Sequence, residues 1–279
     1  MKLLKYTILA LIISLSSLYG FMKINNYNID DIGLNLLSSI KRLRGDSIDL
    51  SSISSQETAI PDHSAWTELL DLYVTETGKV NYKGFIEDKV RLEEYLNTLS
   101  SFPPGENWRT QDKLAYWINA YNAFTVKLIV DNYPLKSIKD IANGLPMINS
   151  PWDIKFFKIG ETDFDLNTIE HEILRKQFDE PRIHFAINCA SFSCPRLRNE
   201  AYETEKLEEQ LEEQASLFIN NPDKNLISSS NTKLSKLFSW FESDFLKDGG
   251  VKSFIKKYNQ SLNENSKIEY LEYIWTLNE

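Results

Sequence analysis

The chain is poor in the residues that metal and nucleotide chemistry require. Two cysteines and three histidines in 279 residues leave little material for a structural zinc site, and no metal is expected. There is no Gly-rich phosphate loop, no His-Glu-x-x-His and no paired Cys-x-x-Cys. The common nucleotide-binding and metalloprotease readings therefore fall away, and no cofactor is expected. With only 10 glycines and 9 prolines beside 42% hydrophobic residues, the composition is that of a folded protein and not of a low-complexity chain. Positive charge is also in deficit. A formal net charge of −9 repels phosphate backbones, which argues against a nucleic-acid partner.

What is present begins with a short basic start, Met1 to Lys5, followed by an uncharged, mostly apolar run from Tyr6 to Met22. That order and length suit a signal peptide or signal anchor, residues 1–22. The expected location is therefore outside the cytoplasm: periplasmic, secreted, or held to a membrane by residues 6–22 if the segment is not cleaved. Residues 23–60 read as a short amphipathic helix and a Ser-rich linker. Residues 61–279 read as a single globular domain.

Within that domain, apolar positions recur at helical spacing over 63–74, 85–99, 111–132, 202–219, 237–245 and 251–258. The 111–132 stretch is apolar nearly all round, which marks a helix at the centre of a core. Short extended pieces are expected at 80–82, 151–160 with a hairpin partner at 164–166, 182–188, 226–234 and 267–275. The glutamates between 205 and 213 read as a solvated helix face. The fold class is α+β, with helices around a small, mainly antiparallel sheet.

Chemistry concentrates in Pro181-Arg-Ile-His-Phe-Ala-Ile-Asn-Cys-Ala-Ser-Phe-Ser-Cys-Pro195, which holds both cysteines and His184. Read with period two, Ile183, Phe185 and Ile187 face one way and Arg182, His184, Ala186 and Asn188 the other. Pro195 would open a helix and place the Cys194 thiol at its N-terminus, where the dipole favours a thiolate. One reading is then a papain-like or transglutaminase-like cysteine hydrolase acting on a peptide or a small amide or ester. In it Cys194 is the nucleophile, His184 the base, and Glu170 or Asn119 the orienting group, with His171 on the preceding helix. Asn122, Arg182 and Ser193 are candidate substrate contacts. The other readings of the thiols stay open: a Cys189–Cys194 disulfide, or unpaired structural cysteines. A contrasting reading has no catalysis, only a binding module whose aromatic groove at Trp240, Phe241 and Phe245 takes a partner segment.

Several blocks together resemble a known family. They are Val80-Asn-Tyr82, Ala115-Tyr-Trp-Ile-Asn-Ala-Tyr-Asn-Ala123, Ile169-Glu-His-Glu-Ile-Leu-Arg175, Pro181 to Pro195, Leu234 to Phe245 and Tyr270 to Asn278. In this order they resemble the uncharacterised domain of unknown function 547, over about residues 61–279. The resemblance implies a fold boundary but no activity.

Overall fold

The computed structural model describes residues 57–141, 150–228 and 231–279. The expected leader (1–22) and all but the end of the expected linker (23–60) lie outside the described residues. No described helix is long and apolar enough to cross a membrane.

The longest element is the central helix Thr110–Asn132, here α4. It is buried from Leu114 to Val126 without a break, as its all-round apolar sequence requires. Its start is fixed by Arg109, whose backbone N–H donates to Asp112 Oδ2 at 2.8 Å. Thr110 is already inside the helix, one residue before the expected start at 111. Three earlier helices precede it: α1 Ser64–Tyr73, α2 Tyr82–Glu87 and α3 Lys89–Ser101. The expected 85–99 helix is thus two, separated at Asp88, whose N–H closes on Gly84. Between α1 and α2 the chain reverses at Gly78, where φ is +82° and a Cβ would lie 2.4 Å from Arg196 Cβ. Only glycine satisfies both conditions.

After α4 comes a hairpin, β1 Phe157–Ile159 with β2 Thr162–Phe164. A second sheet holds β3 Leu226–Ile227, β4 Thr232–Leu234 and β5 Ile268–Tyr270. Its β3–β4 pair is antiparallel and its β4–β5 pair parallel. The α+β class holds, and the strands are shorter than the alternation suggests.

A second apolar cluster gathers Phe185, Phe218, Phe238, Phe245 and Phe254. It seats α7 Leu207–Asn220, α8 Leu237–Trp240 and α9 Val251–Tyr258. Burying each phenylalanine contributes about 2–3 kcal/mol. Phe245 is 0% exposed, so it belongs to this core and not to a groove.

Two expectations change here. Residues 182–188 are not a strand: Ile183–Ala186 form one helical turn, α6. No strand lies beside them among the described residues, and their backbone groups are met by side-chain amides instead. Asn122 Nδ2 donates to Ala186 O (3.0 Å), Asn188 N–H to Asn122 Oδ1 (2.9 Å), and Gln214 Nε2 to Phe185 O (3.1 Å). A buried backbone must be satisfied, and these amides remove the need for a ladder. The glutamates of α7 are also more than a solvated face. Glu208 and Glu212 pair with Arg182, and Glu213 with Arg198.

Candidate functional site

The segment between β2 and α6 carries the chemistry. Thr168–Leu174 wind as a π-helix that runs into α5, Arg175–Gln177. Arg175 N–H closes on Glu170 O, an i→i+5 bond. Asp165 starts the segment, accepting from Thr168 N–H (2.7 Å) and Oγ1 (2.9 Å). The wider turn matters, because π-turns recur at functional sites and bring i and i+5 side chains onto one face.

On that face Arg175 holds two partners, one of which reaches a third group. Its Nε and Nη2 donate to Asp244 Oδ2 (2.6 Å) and Oδ1 (2.8 Å), a two-point carboxylate pair. Its Nη1 lies 3.0 Å from His171 Nδ1. A guanidinium only donates, so Nδ1 is the acceptor and the proton of a neutral His171 sits on Nε2. Asp244 Oδ2 also accepts from His184 Nε2 at 2.8 Å. His184 is thereby the same tautomer, with its lone pair on Nδ1. That atom is buried and has no hydrogen-bond partner among the described residues. The His184 ring stacks on Phe241, centroids 3.9 Å apart. Burial lowers the pKa of both His171 and His184, and the rings are held in place by Arg175, which donates to His171, and by Asp244, which accepts from His184. Arg175 and His184 keep Asp244 ionised well below the usual carboxylate range.

Glu170 is the centre of the cluster. It is 8% exposed, and its charge reaches His171, Arg175, His184, Tyr121 and Tyr273. Tyr121 donates to Oε2 at 3.1 Å. Oε1 and His171 Nε2 have no hydrogen-bond partner among the described residues and are not sealed from solvent. Tyr273, which feels the Glu170 charge, and Trp152, which bonds Tyr121, connect this pair to a group of half-buried rings completed by Trp240 and Trp275. Tyr273 lies 4.7 Å from Trp240 and 4.6 Å from Trp275, and Trp152 lies 5.7 Å from Trp275.

The cysteines are joined to each other. Cys189 and Cys194 form a disulfide, and no described cysteine is free. In this form neither sulfur can act as a nucleophile. Pro195 does not open a helix, so no helix dipole bears on Cys194. The bridge touches the cluster only through the Tyr273 hydroxyl, 3.3 Å from Cys189 Sγ and 3.2 Å from Cys194 Sγ.

The predicted site residues therefore divide. Glu170, His171 and His184 come together. Asn119 does not join them: it is 0% exposed, and both its amide atoms hold Tyr202, by Nδ2 to Tyr202 O (2.8 Å) and Oδ1 from Tyr202 N–H (2.9 Å). Asn122 is spent on α6 as described. Arg182 is neutralised by Glu180, Glu208 and Glu212. Ser193 Oγ accepts from Ile274 N–H at 2.8 Å, a backbone tie. Four members of the cluster were not foreseen as site residues: Tyr121, Arg175, Asp244 and Tyr273. The His171/Arg175 spacing of four was a usable signal. Among the described residues no group of three His, Cys, Asp or Glu is arranged to hold a metal ion.

A comparison with protein families finds a match over residues 105–219 to the family described as protein of unknown function, DUF547. The chain resembles that family across α4, the π-helical segment, the bridged loop and most of α7. No curated protein and no solved structure matches the chain.

Proposed function

We propose that this is an exported ligand-binding domain, and that a peptide-like ligand seats against Glu170 and His171. The observation that carries this reading is the pairing of one open acceptor, Glu170 Oε1, with one open donor, His171 Nε2–H, beside four half-buried aromatic rings. An amide offers the complementary pair: its N–H to the carboxylate and its C=O to the imidazole. The rings offer wide apolar contact for flanking side chains, as pockets that orient a ligand by a few polar groups do. Export is supported by the basic-then-apolar start of the chain and by the disulfide, which persists in oxidising compartments.

The test is titration calorimetry of the oxidised protein against a peptide library of neutral sequences. Glu170→Gln and His171→Gln should each weaken binding by about tenfold or more, the loss of one hydrogen bond to a charged or buried group, with a thermal melt confirming that each variant is folded at the titration temperature. Hydrolysis of the same peptides that depends on Cys194 would replace binding by the hydrolase reading. Unchanged affinity in both variants would move the ligand elsewhere.

A further inference from the structure

We propose that Cys189–Cys194 is a thiol–disulfide exchange site, attacked at Cys189 by a dithiol, with Cys194 as the leaving sulfur. The two sulfurs have unequal surroundings. Cys189 is half-buried, whereas Cys194 is 5% exposed. Cys194 Sγ has the Cys189 backbone N–H at 3.0 Å and the Tyr273 hydroxyl at 3.2 Å, whereas Cys189 Sγ lies 3.3 Å from both the Ser191 and the Tyr273 hydroxyls, so the backbone donor is what sets Cys194 apart. Ser191 Oγ donates in turn to the Tyr273 oxygen at 3.1 Å, so a short relay ends on that sulfur. Burial keeps Tyr273 protonated, and hence a donor. A leaving sulfur departs faster the better its thiolate is stabilised.

The loop itself supplies a second observation. Ala190, buried between the two cysteines, holds φ at +60°. An alanine adopts this left-handed conformation only at a cost, and such residues gather where a segment is held ready to move. The loop is held down by the following arm: Phe192 N–H donates to Thr276 O (2.7 Å), Ser193 N–H to Ile274 O (3.2 Å), and Asn278 N–H to Ala190 O (3.3 Å).

The chemistry balances as follows. A thiolate of the dithiol attacks Cys189 Sγ, the S–S bond breaks, and its electron pair passes to Cys194 Sγ. The second thiol of the dithiol then attacks the mixed disulfide and releases Cys189. The dithiol leaves oxidised to its own disulfide, having given two electrons and two protons to the two cysteines.

The experiment uses the full chain in its oxidised form. Glutathione is added under native conditions, the reaction is quenched with acid, and the mixed disulfide is mapped by mass spectrometry. The glutathione should be on Cys189, with Cys194 free. Tyr273→Phe should slow reduction by dithiothreitol about tenfold, the loss of one hydrogen bond to a charged sulfur. Ser191→Ala should slow it by about threefold and serves where Tyr273→Phe does not fold. Glutathione on Cys194, reduction no faster than global unfolding, or rates unchanged in the variants would each overturn the proposal.

Discussion

Lowering the pH from about 7 to about 5 should destabilise this domain steeply, because its three histidines are all held neutral by burial. His63 is pushed down to about 4 from 6.5, chiefly by burial, with Asp62 and Glu203 opposing. Its Nδ1 lies 2.8 Å from the Tyr95 hydroxyl, a partner the neutral ring can keep. His171 and His184 are lowered for the same first reason. In the unfolded chain each imidazole takes a proton once the pH drops below about 6.5, while burial in the fold delays that uptake, so unfolding is favoured as the pH falls. His63 contributes a slope of up to about 1.4 kcal/mol per pH unit across this window, and His171 and His184 add to it in the same sense. For His63 the loss runs from 6.5 to about 4 and amounts to at most about 3 kcal/mol. The carboxylates do not confuse this window. Asp244, with its pKa depressed, contributes stability that is lost only as the pH falls through its own low value. Urea unfolding at about pH 7, 6 and 5 gives the slope directly. His63→Gln should lower it by up to about 1.4 kcal/mol per pH unit. A slope below one proton over this range would refute the assignment of neutral buried histidines.

Three further outcomes follow from the geometry. Asp244→Asn leaves Arg175 and His184 without their shared carboxylate, and since the pair is only about one-fifth exposed it should cost about 2–4 kcal/mol in a thermal melt; a loss under about 0.5 would contradict the pairing. Gly78→Ala combines a positive φ with a Cβ 2.4 Å from Arg196 Cβ, so chemical denaturation should show a loss of about 2–4 kcal/mol, and a neutral result would mean the turn is built differently. Nitrogen chemical shifts should place the proton on Nε2 in both His171 and His184 near neutral pH; an Nδ1–H signal for His171 is incompatible with a donating Arg175.

Much of the scaffold was legible because helical periodicity survives packing. The central helix, α7 and α9 follow their apolar stripes, and the small hairpins sit between the expected turns. The 182–188 stretch was misread because alternation describes side chains and says nothing of backbone partners. Here Asn122 and Gln214 supply them, from elements far away in sequence. The family blocks were read over about 61–279 and the family match covers 105–219 of that, but they did not point to which polar residues act together.

The site was only half legible for a related reason. Histidines and cysteines attract attention as chemical groups, yet here their roles are set by residues that look like scaffold. Asp244 lies in an aromatic run that reads as core, and it fixes the His184 tautomer. Arg175 ends a helix that reads as amphipathic, and it fixes the His171 tautomer. The extra residue of the π-turn has no compositional mark, yet it carries Arg175 N–H onto Glu170 O and sets both side chains on one face. An α-helical reading of the same stretch would rotate Glu170 away from Arg175, and the carboxylate on which five titratable groups converge would not be at the centre of the cluster.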